Sequence, residues 1–145
     1  MKEILIAVLT FAALSLVTYQ PKIFVGTDNQ TIAVVDAQEH LPLTISFIHS
    51  VQKTPVIEEL EYQGGEFVLQ RTRYKSQGVG LPFDAADGTF HRDGEWFIVE
   101  DMNRRFKSLE LRTGKGTQLR ITLNGREHAL YEKFPLGTKI IVKTL

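Results

Sequence analysis

The sequence predicts an all-β domain: a β-sandwich or flattened barrel of about ten short antiparallel strands behind an N-terminal hydrophobic helix. Three observations predict it. Apolar and polar residues alternate in short runs from Lys22 onward, the period of a half-buried strand. Turn chemistry separates the runs, with Gly64-Gly65 and Asn124-Gly125 as hairpin signals. Beyond the leader, no segment carries a sustained helical period.

The leader comes first. After Met1-Lys2-Glu3 runs ILIAVLTFAALSLVTY, 16 residues without a charge, closed by Gln20-Pro21-Lys22. It is short for a membrane span and long for a signal-peptide core. An uncleaved signal-anchor over residues 1–21 is expected, with cleavage near Ala13-Leu14-Ser15 as the alternative. Either places residues 22–145, a single β domain, outside the cytoplasm, at the cell membrane or exported into the periplasm. Lys2 gives a weak positive-inside cue.

Composition narrows the function. Lys and Arg total 17, as do Asp and Glu. That balance argues against nucleic acid as a partner, since such binders carry a basic excess. The chain has no cysteine, so thiol catalysis, disulfides and cysteine zinc sites are excluded.

Ile23–Val25 and Ile32–Val35 read as the first strands, split by the turn-rich Gly26-Thr27-Asp28-Asn29. Leu43 to Arg73 then reads as three consecutive strands. Leu43, Ile45, Phe47 and His49 share one face of the first. Val56, Glu58, Leu60 and Tyr62 share one face of the second, which leaves Glu59 and Glu61 toward water. A tight Gly64-Gly65 turn pairs Tyr62 with Phe67, Leu60 with Leu69, Glu58 with Arg71 and Val56 with Arg73. Glu58 and Arg71 then meet on the apolar face, with His49 on the neighbouring strand. That makes Glu58, rather than Glu59, the acid whose removal costs stability. The group reads either as a structural polar cluster, paired because an unpaired buried charge is costly, or as the floor of a site.

Ser76 to Gly94 is the longest irregular stretch. Gly78-Val79-Gly80 is a candidate anion nest or a bulge. Asp84, Asp87, His91 and Asp93 match no calcium loop and no zinc pair, so no metal is assigned. Glu95–Asp101 is a strand apolar on both faces, and Asn103–Lys107 a basic turn. Leu109 and Leu111 mark another strand. The Asn124-Gly125 hairpin sets Ile121 opposite His128, a packed histidine rather than a ligand, and Lys139–Lys143 closes the domain.

The runs His49-Ser50-Val51 and Lys53-Thr54-Pro55-Val56 with Glu58, then Gly78, Gly80, Leu81 and Pro82 past the next hairpin, carry a family signature. They resemble the motifs of domain-of-unknown-function family 1850 over roughly residues 40 to 112. Val79 stands where a small residue such as alanine is more usual. The resemblance implies a small extracytoplasmic protein encoded beside a permease of the TAXI branch of TRAP transporters, and it supplies no cofactor and no reaction. A transporter permease or its solute-binding protein is the implied partner.

The expected site comprises His49, Ser50, Lys53, Glu58, Arg71, Gly78, Gly80 and Pro82, with a small carboxylate as a ligand that Arg71 would grip in two-pronged fashion. A hydrolase using His49 as base and Ser50 as nucleophile is the weaker alternative. Adjacent strand residues point to opposite faces, and no Gly-x-Ser-x-Gly elbow exists.

Overall fold

The computed structural model describes residues 20–145 apart from 79 and 85. The expected N-terminal helix lies outside the described residues, and no helix among those described is long and apolar enough to cross a membrane. The expected all-β class holds. Twelve strands form two antiparallel sheets rather than about ten strands.

The smaller sheet has the order β2-β1-β12-β9, from Thr31–Asp36, Lys22–Gly26, Lys139–Thr144 and Ser108–Arg112. The larger runs β11-β10-β3-β4-β5-β7-β6. Its strands are Arg126–Ala129, Arg120–Leu123, Leu41–Ile48, Pro55–Gln63, Glu66–Tyr74, Trp96–Glu100 and Thr89–Asp93. The short strand β8, Arg104–Phe106, also pairs with β5. A single helical turn, Leu130–Lys133, follows β11.

The core lies between the sheets. Ile23, Val25, Ile140 and Val142 supply one wall, and Leu43, Ile45, Val56, Leu60, Phe67, Tyr74 and Ile121 supply the other. Inward residues alternate with outward ones along each strand, as one buried face requires. The Asn124-Gly125 hairpin has the expected register, with Ile121 opposite His128. His128 is buried, and burial first, then Lys133 and Arg126, pushes its imidazole below the usual range.

Two strands were not expected. β6 falls within the stretch read as irregular, and β8 within the stretch read as a basic turn. β8 and β9 together turn a corner. β8 adds to the larger sheet, the chain bends at Lys107, and β9 joins the smaller sheet through β12. The sheets are therefore joined at the foot of β9 and open above it.

The ends of the sandwich have distinct roles. Lys22 meets Leu145, and Ala37 meets Pro21, at the end where the chain enters from the N-terminal segment. Ile48 bonds to Thr117 at the opposite end, where β3 runs into the His49–Thr54 turn.

Candidate functional site

The β4–β5 hairpin corrects the expected register. Tyr62 faces Phe67 and Leu60 faces Leu69, as the tight glycine turn requires. A bulge then shifts the pairing between Glu59 and Leu60. Beyond it Glu58 faces Thr72, Glu59 faces Arg71, Ile57 faces Arg73 and Val56 faces Tyr74. The expected Glu58–Arg71 and Val56–Arg73 pairs do not form. One extra residue in β5, Gln70, turns Arg71 and Arg73 outward and Thr72 and Tyr74 inward. The bulge sits where β5 changes partner: β8 pairs with Phe67–Leu69 and β7 with Thr72–Tyr74. Met102, between those strands, donates its backbone N–H to the Gln70 carbonyl at 3.2 Å.

Arg71 consequently belongs to the outer face. Glu59 binds both Arg71 and Arg73 there, the latter at 2.7 Å. Arg73 also stacks on Trp96, 5.7 Å from the ring centre. The groove beside them holds about 460 Å³, but Glu59, Glu61, Glu100 and Asp101 line it against the single cation Arg71. Those charges repel a carboxylate, so Arg71 is not the grip expected of it. Glu59→Ala strands two guanidiniums over a partly covered surface. It is expected to cost about 1–2 kcal/mol in chemical denaturation, more than Glu58→Gln costs. This reverses the order expected from the unbulged register.

His49 is 8% exposed and ends the inward row Ile45, Phe47, His49. Ile45 faces Glu58, so His49 lies about 13 Å along the strand from that row. It does not join Glu58 and Arg71 in one group. Two of its partners are local. The backbone N–H groups of Val51 and Gln52 donate to Nδ1, at 3.3 and 3.1 Å. Nδ1 is therefore the acceptor nitrogen, and in the neutral ring the proton sits on Nε2. The turn closes with His49 N–H to the Thr54 carbonyl and Lys53 N–H to the His49 carbonyl, with Lys53 at φ 56°.

Gly78 lies directly on this ring. A Cβ there would stand 2.9 Å from His49 Cε1 and 3.0 Å from Nε2, so only glycine fits. Leu81 N–H returns to the Gly78 carbonyl, and Tyr74 donates its hydroxyl to the Pro82 carbonyl at 2.6 Å. The structure thus brings His49, Gly78 and Pro82 together as a staple between two loops. Ser50, Lys53 and Gly80 are exposed on those loops. Val79, the middle of the expected nest, lies outside the described residues.

Glu58 occupies a different place. It points inward from β4 into the opening between β9 and the strands β3 and β4. Two adjoining cavities of about 250 and 280 Å³ share Ile45, Glu58 and Leu111 in their walls. Arg112 stands at the rim of the first and Arg104 at the rim of the second. Among the described residues, the Glu58 carboxyl has no hydrogen bond and no ion pair. Burial raises its pKa above the ordinary glutamate range, and the Arg104 guanidinium offsets part of that rise. The structure thus leaves a half-buried acid, with no direct hydrogen bond among the described residues, facing the opening between the sheets.

Arg104 was missed as a site residue at the level of sequence because Asn103–Lys107 read as a turn. A signal was present: Arg104 and Phe106 alternate with Arg105, and Phe106 packs inward opposite Phe67.

The fold and cleft define a small two-sheet β protein with a half-buried acid, Glu58, at the open seam between its sheets. The chain belongs to the domain of unknown function family DUF1850, whose model matches residues 43–130. Apart from the first two residues of β3, that range holds the strands of the larger sheet together with β9, and so both walls of the cleft. Comparison with curated proteins and with solved structures gives no match.

Proposed function

We propose that this protein is a non-enzymatic binding module that works outside the cytoplasm, held at the membrane by its N-terminal apolar segment. In this reading it serves as an accessory to a TAXI-type organic-acid transporter, contacting the permease or its solute-binding protein. The observation that carries the binding reading is the Glu58 carboxyl, half-buried at the seam between the sheets with no direct hydrogen bond among the described residues. Family membership and the apolar leader support the location and the association.

The His49 geometry speaks against hydrolysis. The Nδ1 lone pair accepts two backbone N–H groups, and Gly78 covers the Nε2 side. A general base for Ser50 needs a lone pair within reach of that hydroxyl. Geometry also gives the accessory reading a direction. The staple loops stand at the end of the sandwich opposite Lys22, so an anchored chain presents them away from the membrane.

The test is mild cross-linking in native membranes followed by capture on a C-terminal tag. Co-purification of a permease or solute-binding protein, reduced by Glu58→Leu or by Gly78→Ala, is the expected result. Recovery of the chain alone, from membranes in which the transporter is expressed, contradicts the accessory reading.

A further inference from the structure

We propose that the cleft between β9 and strands β3 and β4 seats a small acid with an apolar body, its carboxylate held between the Glu58 carboxyl and the Arg104 guanidinium. This rests on the binding-module reading and names its ligand class.

Two groups of opposite charge face each other across one cavity without touching. Glu58 and Arg104 both line the 280 Å³ lobe, and neither side chain has a hydrogen bond or an ion pair among the described residues. Glu58 is half-buried and Arg104 exposed, and the lobe between them leaves room for a group that hydrogen-bonds to both. A carboxylate supplies what both lack. It accepts from the guanidinium fork, and it accepts the O–H of a protonated Glu58.

The rest of the cleft defines the body of the ligand. The adjoining 250 Å³ lobe is walled by Ile45, Phe47, Leu111 and Leu119, with Thr117 and the rim residue Arg112. Each lobe falls below the range of about 300–1,000 Å³ usual for drug-sized ligands, which suits a compact aryl or short alkyl acid. With Glu58 protonated, Arg104 and Arg112 outweigh Glu110 around the two lobes, which favours an anionic ligand over a cationic one.

Binding is then coupled to a proton. Two carboxyl groups in contact share one proton, because both cannot stay ionised side by side. The charged groups that face Glu58 are Arg104 from β8, with Glu110 and Arg112 from β9; β3 and β5 present Ile45, Phe47 and Leu69. Binding is tight while Glu58 keeps its proton and weakens as pH rises through its elevated pKa.

The experiment is calorimetric titration of the full chain in detergent with 3-phenylpropionate, and with 3-phenylpropylamine as the charge-reversed control. The acid is expected to bind at about pH 5 and about tenfold more weakly at about pH 8. Arg104→Ala should lose about tenfold or more at the lower pH. Glu58→Gln, which keeps a neutral donor, should bind with a flattened pH profile. Binding of the amine instead of the acid overturns the proposal, as does acid binding that is indifferent to both Arg104→Ala and Glu58→Leu. If neither probe binds while cross-linking still captures a transporter subunit, the ligand class falls and the accessory reading stands. If the acid binds as expected and capture fails, the ligand class stands without the transporter.

Discussion

Gly78→Ala is expected to destabilise the domain by about 2 kcal/mol, and most of that loss is expected to vanish in a His49→Ala background. The reasoning is steric. The added methyl would lie 2.9 Å from His49 Cε1, inside normal contact distance. The ring cannot swing aside cheaply, because the Val51 and Gln52 N–H groups hold Nδ1 and the side chain is 8% exposed. Nor can the loop withdraw freely while Tyr74 grips the Pro82 carbonyl. A methyl next to a removed ring meets no such barrier. A double-mutant cycle by chemical denaturation checks this, and strictly additive losses would show that the loops do not meet through this pair. The family motifs on these loops then have a mechanical meaning: a histidine that folds its own turn and a glycine that lets a second turn lie on it.

Glu58→Leu is expected to stabilise the domain by about 2 kcal/mol at about pH 8, with little gain at about pH 4. Folding moves this acid partly out of water, and the Arg104 guanidinium offsets only part of that cost. Its folded pKa is raised, so the stability present below the unfolded value is lost as pH rises through the folded one. The leucine variant carries no such loss, and it adds apolar surface to a wall already made by Ile45, Leu60 and Leu111. Thermal unfolding across pH for both proteins is the measurement. A destabilised Leu variant at every pH would mean that Glu58 has a partner holding it in place. Stability gained by deleting an acid, joined to loss of captured partner or ligand, is the pattern of a group retained for function.

Much of the fold was legible because a strand's period is visible in four or five residues. Ile45, Phe47, Val56, Leu60 and Tyr62 fall on one face by alternation alone, and the two glycine-containing turns set their hairpins correctly at the tips. What failed was extrapolation past a bulge. Phe67 and Leu69 point inward on odd numbers, Thr72 and Tyr74 on even ones. The buried Tyr74 marks that change of parity in the sequence, yet the single inserted residue, Gln70, is fixed by the strands that flank β5, which lie some thirty residues away in sequence. β6 hid for a similar reason. Asp93-Gly94 is itself a hairpin signal, with Asp93 opposite Trp96, but the exposed alternation of Thr89–Asp93 carries no buried face. The candidate site shared this fate. Glu58 stood out as an acid on an apolar face, whereas Arg104 needed the β8–β9 corner, a tertiary feature, to reach the same cavity.

The Glu58 carboxyl itself offers the most direct test of the account. Its side-chain carbon can be followed by NMR through a pH titration of selectively labelled protein, with Glu58→Gln used to assign the signal. A half-buried acid at the seam, whose burial outweighs the nearby Arg104, titrates above the ordinary glutamate value of 4.5, and its midpoint is unmoved by Arg71→Ala, because Arg71 lies on the outer face with Glu59. A midpoint at or below 4.5, or one that rises when Arg71 is removed, would contradict it by placing Glu58 in an ion pair and closing the cleft as a site.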